Sequence, residues 1–142
     1  MRGPIVVGTD GSDTASVAVG ESIQLAKAFD EMLHVVCAYH PQALETRGLP
    51  SEFAGSVLPD SKVQAVLDDV LARARQAGVN AEPHAITGDA ADAILGLAVQ
   101  LHAGVIVVGN KGISSMRRYV LGNVPSKVVH HASCSTFVVQ TT

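Results

Sequence analysis

Short β-branched runs alternate along this chain with longer stretches whose apolar residues recur at helical spacing, so the hydrophobic period switches repeatedly from strand-like to helical and back. The unbroken Val105-Ile106-Val107-Val108, inside a strand predicted over Gly104–Gly109, is the pattern of a central strand covered on both faces. Ile5-Val6-Val7, within a strand over Pro4–Thr9, has the same character. Asp10-Gly11-Ser12 interrupts it, with Ser12 placed to cap a helix expected over Asp13–Phe29. Leu33–Tyr39 reads as the second strand. Over Lys62–Ala77 the residues Val63, Val66, Leu67, Val70, Leu71, Ala74 and Ala77 keep helical intervals, and Gly78 supplies the stop. Asn80–Ile86 reads as a third strand, confined to a sheet edge because Pro83 removes a ladder donor. Asp89–Leu101 is a further helix with Asp89 as its cap. Val124–His131 is a short last helix, and Ser135–Gln140 a final strand. The stretch from Pro41 to Asp60 holds three prolines, two glycines and no sustained period. It predicts a loop long enough to close over a ligand or meet a partner.

This alternation predicts an α/β fold: one doubly wound, five-stranded parallel sheet with helices on both faces, as a single domain over residues 1–142. Right-handed crossovers, an edge position for the third strand and a central one for the fourth give the order 3-2-1-4-5. The winding then reverses between the first and fourth strands, and ligands of such sheets bind in the crevice at the carboxyl ends of the strands where it does. Thr9-Asp10-Gly11 and Gly109-Asn110-Lys111-Gly112 are thereby expected side by side.

Composition narrows the choice of ligand. Although 47% of the residues are hydrophobic, no apolar run approaches the roughly 18 to 20 residues of a membrane-spanning helix. The formal net charge of -3, the 4% aromatic content and the lack of Trp disfavour a nucleic-acid partner. Met1-Arg2-Gly3-Pro4 runs directly into an apolar strand, leaving no room for a cleaved signal. Cys37 and Cys134 read as buried thiols, without metal-ligand spacing, in a reducing cytoplasm.

Gly109-Asn110-Lys111-Gly112, followed nine residues later by Gly122-Asn123-Val124-Pro125 at a helix start, suits an anion. Glycines let backbone N–H groups approach a ligand closely, and a helix N-terminus presents unpaired donors and a positive dipole end. Lys111, Arg117 and Arg118 add positive charge to the same segment. A carboxylate at a strand end, as in Asp10, has three uses: accepting from a ribose hydroxyl, holding Mg²⁺ indirectly, or capping the following turn. No GxxxxGK[ST] string occurs, which excludes a P-loop, and no clustered acid pair supports a receiver-type phosphoacceptor. The six histidines show no HxxxH or HExxH spacing and are read as structural or solvated, with no metal site expected. Ser114-Ser115 reads as polar loop filler.

The spacing Gly109, Gly112, Gly122 resembles the Gly-x2-Gly-x9-Gly motif of nucleotide-binding universal stress proteins, as do Ile5-Val6-Val7-Gly8-Thr9-Asp10-Gly11-Ser12 at one end and Val124-Pro125 to Val139 at the other. The resemblance implies ATP, with or without Mg²⁺, or alternatively AMP or cyclic AMP. Gly8, Thr9 and Asp10 would form the adenosine side, with Ala38 packed on the base. Val108, Gly109, Gly112, Gly122, Asn123 and Val124 would form the ribose and phosphate side. Asn123 departs from the family pattern, which has Ser or Thr there; an amide also donates to a phosphate oxygen but is larger. The resemblance further implies a homodimer through the last strand, with Phe137 and Val139 near the interface, and regulatory protein partners. No water-activating base stands out, so the expected role is a nucleotide-dependent stress-response switch rather than a catalyst. The alternatives are a slow ATPase or adenylating enzyme, a cyclic AMP binder, and a nucleotide-free interaction protein.

Overall fold

The computed structural model describes residues 2–40, 58–111 and 121–141. Six strands and four helices are formed among them: β1 Ile5–Gly8, α1 Asp13–Phe29, β2 Leu33–His40, β3 Leu58–Pro59, α2 Asp60–Gln76, β4 Ala81–Thr87, α3 Ala90–Leu101, β5 Val105–Gly109, α4 Asn123–His131 and β6 Ser135–Val139. All pairings are parallel, and the long strands lie in the order β4-β2-β1-β5-β6. That is the order expected from the crossover rule, with Pro83 on the edge strand as its missing donor requires.

The sheet has one strand more than the five expected. Leu58 and Pro59 pair with Tyr39 and His40. Because Tyr39 already pairs with Thr87 of β4, the short β3 occupies the edge of β2 that β1 vacates after Gly8. Two residues carry no readable period, which is why the sequence pattern merges this strand with the loop before it. Residues 41–57 of that loop lie outside the described residues.

Alternation along the strands divides the apolar residues into two clusters, one on each face. Ile5, Val7, Leu33, Val35, Cys37, Val105, Val107 and Val139 meet α1 and α2 through Val19, Ile23, Val63, Leu67 and Val70. Val6, Val36, Ala38, Ile106 and Val108 meet α3 and α4 through Ile94, Leu97, Ala98 and Val128. Side chains of full Val, Leu or Ile size at these positions each contribute about 1.5 to 3 kcal/mol by leaving water.

Caps fall where the sequence places them. Ser12 accepts from the Ala15 N–H at the start of α1, and Asp89 from that of Asp92 at the start of α3. Two expectations are corrected. Cys134 is only partly buried, because it precedes β6 at the end of the bend after α4, and only Cys37 is a fully buried thiol. Val139, expected beside Phe137 at a dimer interface, turns into the α1 side of the core, so the exposed apolar pair on β6 is Phe137 and Val138.

Candidate functional site

In a parallel α/β sheet every crossover helix begins near the carboxyl end of the strand before it, so several helix N-termini gather at one edge. Here β1 and β5 are neighbours that lead into α1 and α4, which start on either side of a cleft. The cleft takes in about 580 Å³, its open mouth included.

Its floor is apolar. Val36 and Ala38 line it from β2, Val108 from β5, and Ala90 and Ile94 from α3. Ile94 of α3 packs directly over Gly8, where a Cβ would displace the end of its side chain. The Thr9 N–H donates to the Val36 carbonyl (2.9 Å), prolonging the β1–β2 ladder to the point where the chain turns away. In that turn the Thr9 hydroxyl accepts from the Gly11 N–H (3.1 Å) and Asp10 Oδ1 accepts from the Ser12 N–H (2.9 Å). Gly11 has a φ of 82°, and a Cβ on it would lie 2.7 Å from Val66 Cγ2, so this turn needs glycine on both counts. Asp10 therefore performs the turn-capping role weighed for it. Its other carboxylate oxygen makes no hydrogen bond among the described residues.

The opposite wall is β5 and the start of α4, and Asn110 organises it. Its N–H donates to the Val139 carbonyl (2.8 Å), and its own carbonyl accepts from the Gly122 N–H (2.9 Å). Its side-chain Oδ1 accepts from both the N–H and the hydroxyl of Thr141 (2.9 Å each). One residue thus ties the end of β5 to the chain beyond β6 and to the cap of α4. Gly122 is that cap and has no side chain to serve the first turn, so the Asn123 and Val124 amides have no acceptor within the helix. A negatively charged group brought there would find donors and the positive end of a dipole.

Of the residues singled out in the sequence, Gly8, Thr9, Asp10, Ala38, Val108, Gly109, Lys111 and Val124 line this cleft together. Gly122 and Asn123 do not line it. Gly122 is buried behind it with its N–H committed to Asn110, and the Asn123 side chain is exposed. Gly112, Ser114, Ser115, Arg117 and Arg118 lie outside the described residues. The sequence reading missed Val36, Ala90 and Ile94 of the floor, and Ser12, Thr14 and Ala15 at the start of α1. The alternation on β2 that gives Ala38 gives Val36 as well; nothing in the sequence alone brings α3 over β2. Asn110 lies inside the glycine motif, but its contacts depend on where Thr141 ends up.

Ionisation is perturbed at a few groups. Burial, reinforced by the Asp10 charge, pushes the Cys37 thiol up to about 11. Lys127 sits between Asp89 (3.3 Å) and Asp92 (2.8 Å), and these carboxylates hold its ammonium above the ordinary lysine range. This exposed pairing links α4 to the start of α3 and is worth little on its own. Burial and then the neighbouring His84 lower the His34 imidazole, against the opposing pull of Glu82.

No helix of the described residues is long and apolar enough to cross a membrane. A model of the universal stress protein family matches residues 1–140. Over 141 residues the chain is 36% identical to universal stress protein Rv1636 of Mycobacterium tuberculosis, taking in 97% of this chain and 96% of the relative. It superposes on the crystal structure of a universal stress protein in complex with cAMP with a TM-score of 0.77 at 33% identity, covering 99% of this chain and 98% of that one. The structure of the universal stress protein from Archaeoglobus fulgidus in complex with dAMP has the same fold, with a TM-score of 0.71 at 21% identity and 98% of each chain covered. The strand order, the cleft at the reversal point and agreement along nearly the whole chain lead to one assignment: this chain belongs to the universal stress protein family.

Proposed function

We propose that the chain binds an adenine nucleotide in the cleft between β1 and β5 and acts as a nucleotide-dependent regulatory module in a stress response. The observation that carries this reading is the division of the cleft. An apolar floor of small side chains, Val36, Ala38 and Ala90, lies beside the start of α4, where Val124 lines the cleft with an amide that has no acceptor within the helix, and Lys111 is among the lining residues. The floor suits a purine ring, and the start of α4 with Lys111 suits phosphate oxygens. Asp10 lies between them with one carboxylate oxygen outside the turn, suited to a ribose hydroxyl. ATP and cyclic AMP both fit this chemistry, and the cAMP complex of a relative at 33% identity supports the adenine part of the reading. Any Mg²⁺ would be held mainly by the phosphate oxygens.

The regulatory part rests on Asn110. The Gly122 N–H to Asn110 carbonyl bond closes the base of the segment between them, so an anion bound at that base is coupled to the chain segment it closes. The cell's cytoplasm is the compartment consistent with free thiols at Cys37 and Cys134.

Titration calorimetry of the chain with ATP, ADP, AMP, cyclic AMP and GTP tests the reading. Adenine nucleotides are expected to bind in preference to GTP. Ala38→Leu, which fills the floor without adding charge, is expected to weaken every one of them by at least about tenfold while leaving the circular dichroism spectrum intact. Binding of none of them, or undiminished binding by the variant, overturns it. Mass spectrometry of the supernatant after denaturation would identify a nucleotide carried through purification.

A further inference from the structure

Away from the cleft, three side chains of β2 and β4 point their electron-pair donors at one another. Glu82 and His84 are two apart on β4 and so share a face, and the register sets Glu82 opposite His34 and His84 opposite Val36. His34 Nδ1 lies 2.9 Å from His84 Nε2 and 3.7 Å from Glu82 Oε2. All three ligand-type atoms fall within 4.8 Å of one another, the only such group of three among the described residues. The four other histidines stand apart: His40 ends β2, His102 caps α3, and His130 and His131 are in the last turn of α4.

We propose that His34, Glu82 and His84 form a binding site for a divalent transition-metal ion of the zinc class, with two imidazole nitrogens and one carboxylate oxygen as ligands and water completing the set.

Two neutral imidazoles facing each other share one proton, and a carboxylate only accepts, so the three atoms are an excess of electron pairs around a single hydrogen. A cation at their centre serves all three. Bond lengths of roughly 2.0 to 2.2 Å in a tetrahedral zinc site separate neighbouring ligand atoms by about 3.3 to 3.6 Å. The distances of 2.9 and 3.7 Å from His34 Nδ1 bracket that range, and the Glu82 carboxylate lies within 4.8 Å of His84 Nε2, so rotation of the exposed Glu82 side chain is the adjustment that closes the set. Ligation by His34 Nδ1 and His84 Nε2 places each ring's proton on its other nitrogen. The hydrogen now shared between the rings moves by tautomerisation through solvent, with no net proton released.

Burial is graded as a site on a sheet edge requires. His34 is 5% exposed and forms the floor, His84 is half-buried, and Glu82 is exposed at the mouth, where the ion enters and water completes its shell. Two nitrogen ligands select zinc-class ions over Mg²⁺ and Ca²⁺, which take oxygen. The ion would cross-link the edge strand β4 to β2.

The test is calorimetric titration of the metal-stripped, untagged chain with zinc chloride, in nucleotide-free buffer, beside magnesium chloride. One Zn²⁺ per chain, a rise in melting temperature with zinc and no uptake of Mg²⁺ are expected. His84→Ala and Glu82→Gln are each expected to weaken zinc binding by at least about tenfold. Glu82 is exposed, so its conservative variant separates loss of a ligand from loss of fold. A His130→Ala/His131→Ala chain should bind zinc as the parent does, and Co²⁺ in place of Zn²⁺ should give the visible absorption of a four-coordinate ion. Absence of zinc uptake, unchanged affinity in both the His84 and Glu82 variants, or loss of binding in the His130/His131 variant overturns the proposal.

Discussion

Asn110 carries more of the local architecture than its place in a glycine motif suggests. Its side-chain oxygen is the shared acceptor of two Thr141 donors, while its backbone closes onto Gly122 and Val139. Truncation leaves those donors without their partner, so Asn110→Ala is expected to lower stability by about 1 to 3 kcal/mol in chemical denaturation, and to weaken nucleotide binding with it. Asn110→Asp keeps the acceptor and should retain most of the stability; equal losses in the two variants would remove the role given to the oxygen. Cys37 makes a prediction about pH. Its thiol is raised from 9.0 to about 11 in the folded chain, chiefly by burial. In that interval the unfolded chain has released the proton and the native chain keeps it, so stability is intact below the unfolded value and falls as pH rises through the interval. Cys37→Ala should therefore show a shallower alkaline loss of stability between pH 9.0 and about 11 than the parent, and parallel limbs would contradict the assignment. Neither the contacts of Asn110 nor the histidine cluster was legible in the sequence. Their partners are 31 and 50 residues away, and only strand register brings them together.

At the level of elements, the sequence was far more informative. The helices announce themselves by the period of their buried stripe, and the central strands β1, β2 and β5 by short apolar runs buried on both faces. Boundaries shift by one or two residues at the two helices that start without a side-chain cap: α2 begins at Asp60 and not Lys62, and α4 at Asn123 and not Val124. The two-residue β3 escaped notice since it is held by the end of β2 and has no hydrophobic pattern of its own. The cleft was placed correctly from topology, as the reversal between β1 and β5 follows from handedness and one edge proline. Its floor was read only in part. Ala38 follows from the resemblance, but Ala90 and Ile94 enter because α3 packs across β1 and β2, a matter of helix placement that single-chain periodicity does not encode.

For the whole molecule, the open question is what covers β6. It is an edge strand whose Phe137 and Val138 are 41% and 37% exposed, with no charged residue from Ser135 to Val139 to discourage pairing. A two-fold dimer that joins β6 to its copy would cover both. Analytical ultracentrifugation at micromolar concentration is expected to give twice the chain mass, and Phe137→Glu to give the monomer with the fold intact. A parent chain that sediments as a monomer defeats the prediction.

The side of β2 that faces α3 presents His34, Val36 and Ala38 in succession, so the proposed zinc ligand and the proposed purine floor stand on consecutive pleats of one strand. A slip of that strand by a single residue would turn all three toward α1 together. The two proposed sites therefore share one determinant: a substitution would alter either alone, but misalignment of this strand would remove both.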